Sequence, residues 1–154
     1  MSGDVQFDVV LRLLAALLIG ALIGAEREYR GHSAGIRTMG MVSLGSCLFT
    51  AAGFFLLPGH QTDPTRIAAQ VVTGVGFLGA GAIFRSGTDV RGLTTAATVW
   101  VTAALGMAAG FGLFVIAGFG TVVVLAGLIL IRPLERRIFS HRQKKGHSEE
   151  PDTP

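Results

Sequence analysis

Ionisable residues divide the chain into apolar stretches of membrane length. Residues 38–57 run for 20 positions without an ionisable side chain, and residues 67–84 for 18. Between Arg91 and Arg132 lie 40 such positions in succession. As one helix they would extend about 60 Å, twice a ~30 Å hydrocarbon core. The stretch must fold back, and residues 106–112, which hold Gly106, Gly110 and Gly112, carry the turn chemistry. Spans are expected there at about 93–108 and 113–131. A first span, about 9–25, is interrupted by Arg12, which stands one helical turn from Asp8 and close enough to the surface to snorkel. A cleaved signal peptide would need a positive leading region, whereas Asp4 and Asp8 precede any basic residue here.

The pattern predicts an all-α, polytopic membrane protein, a bundle of five transmembrane helices at about 9–25, 38–57, 67–84, 93–108 and 113–131. Pro58-Gly59 is expected to end the second helix, Pro64 to help start the third, and Pro133 to follow the fifth. Residues 1–131 form the membrane domain. Residues 132–154 read as a basic juxtamembrane segment and a disordered cytoplasmic tail.

Composition agrees with this pattern. Apolar residues make up 50% of the chain beside 22 glycines, and charged residues only 15%. Of the 23 charged residues, 10 fall in residues 132–154. A soluble enzyme domain needs a charged surface and a disordered chain needs low hydrophobicity, so both are excluded. The net charge of +3 does not point to nucleic acid, because 11 of the 13 basic residues sit in three short segments beside apolar runs. With the N-terminus outside and the C-terminus cytoplasmic, all 11 lie on the inner side and Arg66 alone in an outer loop. The single cysteine, Cys47, forms no disulfide framework and no CxxC metal site.

Gly74, Gly76, Gly79 and Gly81 include a formal GxGxxG, but they lie inside an apolar span, without the strand–turn–helix context a dinucleotide needs. Packing explains them better: they form two smooth faces, which would make the third helix central to the bundle. Gly20 and Gly24 form a GxxxG pair, fitting either an internal helix contact or a homo-oligomer face. Thr94, Thr98 and Thr102 share a face of the fourth helix. They either line a polar path or bond back to their own carbonyls.

An inner-side polar cluster is expected from Glu26, Arg27, Arg37, Thr38, Arg85, Asp89, Thr94 and Thr95, with Glu28 and Arg91 nearby. Glu26, Glu28 and Asp89 are the candidate metal ligands, since Mg2+ as ligand or regulated ion needs one or two carboxylates beside its waters. No cofactor is implied. The predicted midplane holds no ionisable residue, where proton relays and many coupled transporters place one. No nucleophile–base or paired-carboxylate arrangement recommends an enzyme.

Four stretches together resemble the MgtC/SapB family of small bacterial inner-membrane proteins. They are Ile23-Gly24-Ala25-Glu26-Arg27-Glu28, Ala34-Gly35-Ile36-Arg37-Thr38, the glycine run from Gly74 to Ile83, and Gly92-Leu93-Thr94-Thr95-Ala96-Ala97-Thr98-Val99-Trp100. They occur in the family's order. Ile36 stands where leucine is expected, and the tail is too short for the ACT-like domain of the longer members, so the chain resembles the short, SapB-type branch. The resemblance implies a multi-pass inner-membrane protein of magnesium homeostasis, associated with survival in hosts or in low magnesium. It implies a regulator that binds other membrane complexes, such as the proton-translocating ATP synthase. The alternative is a magnesium or other cation transporter or channel.

Overall fold

The computed structural model describes residues 3–55 and 63–143. In chain order the elements are α1 (Gly3–Tyr29), α2 (Ile36–Phe55), α3 (Pro64–Gly81), β1 (Phe84–Ser86), β2 (Asp89–Arg91), α4 (Leu93–Gly110) and α5 (Phe114–Gln143). The chain divides into two units, Met1–Thr121 and Val122–Pro154. Pro58 and Gly59, the expected stop for the second helix, lie outside the described residues.

Helix ends follow local chemistry. At the end of α1, Gly31 takes φ 74°. Its N–H donates to Glu28 O, and the His32 N–H to Arg27 O at 3.0 Å, the paired bonds of a Schellman turn. Gly112, at φ 78°, ends α4 in the same way, with Gly112 N bonded to Ala109 O and Leu113 N to Ala108 O. The chain therefore reverses at Gly112, while Gly106 and Gly110 remain helical. Asp63 caps α3, its carboxylate accepting from Thr65 N at 2.9 Å, and Pro64 opens the helix.

The first unit is built on α1, α2 and α4, and their contacts are close because the facing residues are small. A Cβ added at Gly20 would stand 2.8 Å from Gly40 Cα, and one at Gly24 2.6 Å from Ile36 Cα. Between α2 and α4, a Cβ at Gly106 would stand 2.8 Å from Ser43 Cα, and one at Gly110 2.8 Å from Cys47 O. Ile23, Met39, Thr102, Cys47 and Ser43 are the largest fully buried side chains. Large apolar residues point outward instead, Phe77 at 81% and Val115 at 86% exposure among them. Such an apolar exterior suits lipid, where helices associate through packing rather than hydrophobic drive. Among the described residues, three helical segments are long and apolar enough to cross a membrane: Gly3–Tyr29, Leu93–Gly110 and Phe114–Ile131.

Three expectations need correction. The third helix is not the centre of the bundle. An added Cβ at Gly74, Gly76 or Gly81 meets nothing within 4 Å, and at Gly79 it makes only ordinary contact with Ala96 at 3.6 Å. Periodicity had located smooth faces on α3, but the close helix contacts belong to α1, α2 and α4. Nor is the chain purely α. The predicted third span, 67–84, ends at Gly81, and Phe84 begins an antiparallel hairpin pairing Phe84 with Arg91, Arg85 with Val90 and Ser86 with Asp89. Finally, α5 continues past Pro133 to Gln143. Proline removes one helical hydrogen bond, yet its fixed φ is compatible with a helix. Of the expected juxtamembrane segment and tail, 132–154, residues 144–154 lie outside the described residues.

Candidate functional site

Two arginines, Arg27 and Arg12, tie the two ends of the α1–α4 contact. At one end, Arg27 is 3% exposed, and its Nη2 donates to Thr95 Oγ1 at 3.2 Å. The last turn of α1 is thereby tied to the first turn of α4 through a buried guanidinium. The two flanking acids serve different partners. Glu26 forms an ion pair with Arg30 one turn on. Glu28 Oε2 accepts from Ile36 N at 2.9 Å, supplying an acceptor to an otherwise unpaired donor at the start of α2. Gly35 packs directly against that carboxylate.

The remaining members of the predicted inner cluster do not join this core. Arg37, Thr38, Arg85, Asp89 and Thr94 are exposed. Arg85 Nε bonds to Gly87 O at 2.8 Å, within the hairpin. Among the described residues, no three of His, Cys, Asp and Glu gather as a metal site.

At the other end, Arg12 bonds to Asp8 through Nε at 2.9 Å and through Nη2 at 2.7 Å. Its Nη1 donates to Gly110 O at 2.7 Å, which satisfies a carbonyl left open at the end of α4 and places a cation there. Sequence spacing gave the Asp8 pair. The Gly110 bond joins residues 98 apart and has no local signal.

Along α4, Thr98 Oγ1 bonds back to Thr94 O at 2.7 Å. Thr102 is fully buried and its hydroxyl has no hydrogen-bond partner, as is true of Ser43 on α2. Ser46 and Thr50 bond back to Val42 O and Ser46 O, each at 2.8 Å. The threonine face is thus part of a helix contact. The α2 hydroxyls were missed in the sequence, although Ser46 and Thr50 carry the spacing of four that relates neighbours on a helix. Gly106 and Gly110, read as turn residues, have the same spacing.

A groove of about 470 Å³ runs between α2 and α3, from Arg66 and Gln70 towards Leu78. Above it, bonds from the Thr65 hydroxyl and backbone N–H hold the exposed Asp63 carboxyl below its ordinary pKa.

Residues 13–137 match a model of the MgtC family. The chain belongs to the MgtC family. It is 47% identical over 133 residues to Protein MgtC of Salmonella typhimurium, covering 86% of this chain and 56% of that protein. To Protein MgtC of Brucella abortus it is 45% identical over 134 residues, covering 87% and 56%. The chain therefore spans little more than half the length of these relatives. No solved structure matches it. The MgtC-type match includes the Arg27–Thr95 tie and both close glycine contacts, and it begins one residue after Arg12.

Proposed function

We propose that the chain is a five-span, multi-pass protein of the bacterial inner membrane that regulates magnesium homeostasis by binding another membrane complex, such as the proton-translocating ATP synthase. The observation that carries this reading is the contact of α4 with α2 and α1. Backbones meet at Gly106 and Gly110, and Thr98 spends its hydroxyl on its own helix. The threonine face is thus committed to packing rather than to lining a conduit. The exterior supplies apolar and small-residue surface, including Phe77, Gly76 and Gly81 on α3, of the kind membrane helices use to associate.

An outside N-terminus and a cytoplasmic C-terminus are supported by charge. Arg27, Arg30, Arg37, Arg85 and Arg91 all fall in or beside connections expected on one side. The α1–α4 geometry fits the alternation of spans in either orientation, because Arg27 meets the start of α4 and Arg12 its end, so the two helices run antiparallel.

The deciding experiment reconstitutes the purified protein alone in liposomes and measures Mg2+ entry, with Glu26→Gln alongside. The expected result is no protein-dependent flux, together with co-purification of a larger complex from native membranes in mild detergent. Flux abolished by Glu26→Gln would establish the transporter instead.

A further inference from the structure

We propose that the groove between α2 and α3 holds one acyl chain of an anionic phospholipid, with its phosphate on Arg66. On α3 the wall includes Arg66, Gln70, Gly74 and Leu78. These residues recur every four positions, so they line one face for about 18 Å of helix. On α2 the wall includes Gly45 and Phe49. Charge and amide polarity are confined to the Arg66 end. Ser46 also borders the groove, but its hydroxyl is engaged by Val42 O. The cavity is polar at one end and apolar along its length, as an amphiphile is.

Charge favours a lipid over a protein helix. Asp63 and Thr65 already satisfy one another at the start of α3. Among the described residues, the Arg66 side chain has no hydrogen bond or ion pair, only the field it shares with Asp63. A phosphate oxygen would give that guanidinium a charge-assisted acceptor. Gly45 and Gly74 open the space, since a Cβ at either meets nothing within 4 Å. They differ in this from Gly20 and Gly106, whose missing side chains admit another helix backbone.

The inference rests on the five-span reading, in which α3 lies in the bilayer. Native mass spectrometry of the full chain, supplied with phosphatidylglycerol or with phosphatidylcholine of the same acyl chains, tests it. The wild type should retain one phosphatidylglycerol per chain, with about a tenfold preference over phosphatidylcholine. Gly74→Leu should fold with an unchanged melting temperature and lose the bound lipid. Arg66→Gln should retain lipid but lose the preference. Equal retention by Gly74→Leu, or no headgroup preference in the wild type, overturns the proposal. A wild-type dimer made monomeric by Gly74→Leu also overturns it and assigns the groove to a second copy. In proteoliposomes of a Cys47→Ser background, Gly76→Cys should resist a water-soluble maleimide. Labelling there would remove α3 from the bilayer and with it the five-span reading, whereas a wild type that retains no phosphatidylglycerol while Gly76→Cys stays unlabelled would overturn the groove proposal alone.

Discussion

A methyl group added at Gly106 would press on the Ser43 backbone, with Ser43 Cα 2.8 Å away, and backbone cannot move aside as a flexible side chain can. One added at Gly76 would meet open space. Gly106→Ala should therefore destabilise the protein by about 1–3 kcal/mol through overpacking, offset in part by the better helix propensity of alanine. Gly76→Ala should be neutral or stabilising by up to about 1 kcal/mol. Thermal unfolding in one detergent reads both, and equal shifts would show that α2 and α4 do not meet at Gly106. The same contrast governs partner binding. Gly20 and Gly24 pack inside the chain against α2, so losing a partner after Gly20→Leu would report a broken α1–α2 contact rather than a lost docking face. Sequence spacing identified this GxxxG pair as a contact but left internal and external packing equally open. Periodicity specifies which residues share a face, not what lies opposite that face.

Among the elements, α3 has the most accessible test, because its first turn depends on an ionised cap. Asp63 is held below the ordinary value of 3.8 by the bonds from Thr65. The folded state thus binds its proton less readily than the unfolded state. The cap's contribution is complete above the unfolded value and is lost as pH falls through the lower folded value. Hydrogen exchange should show protection at Thr65 N that weakens through that acid window. Asp63→Asn should keep an acceptor while removing the pH dependence, and Asp63→Ala should lose the protection at every pH. An unchanged pH profile in Asp63→Asn would show that the carboxylate is not the cap. This helix start was legible from Pro64, and the five helices from their apolar runs. The hairpin was not, because its strands are three residues each and fully exposed, too short for an alternating pattern to stand out. Gly87-Thr88 between them was its one local signal. Pro133 misled for the opposite reason, a strong local stop that α5 passes through.

Across the first unit, two arginines fix the direction of α1 against α4. Arg27 reaches Thr95 and Arg12 reaches Gly110, so the helices run antiparallel, with about 22 Å of α1 between the two ties. The sequence placed Glu26, Arg27 and Thr95 on one side by alternating the spans. It had no means of finding which of the eight clustered residues interact, because that depends on side-chain reach after packing. The same alternation makes a prediction for the whole chain. With the N-terminus outside, Ser33 in the α1–α2 connection and Thr88 in the hairpin turn face the cytoplasm, and Thr65 faces the exterior. All three are exposed, whereas Cys47 is buried and can be replaced by serine, whose hydroxyl can bond back to the carbonyl of Ser43. In right-side-out vesicles, an impermeant maleimide should label Thr65→Cys at once, and Ser33→Cys and Thr88→Cys only after permeabilisation. The opposite pattern would invert the protein and defeat the charge argument. Labelling of all three from one side would mean that α2 and α3 do not cross the bilayer. Among the described residues, these two helices are not in the three candidate spans. Their crossing is therefore the step on which the five-span topology depends.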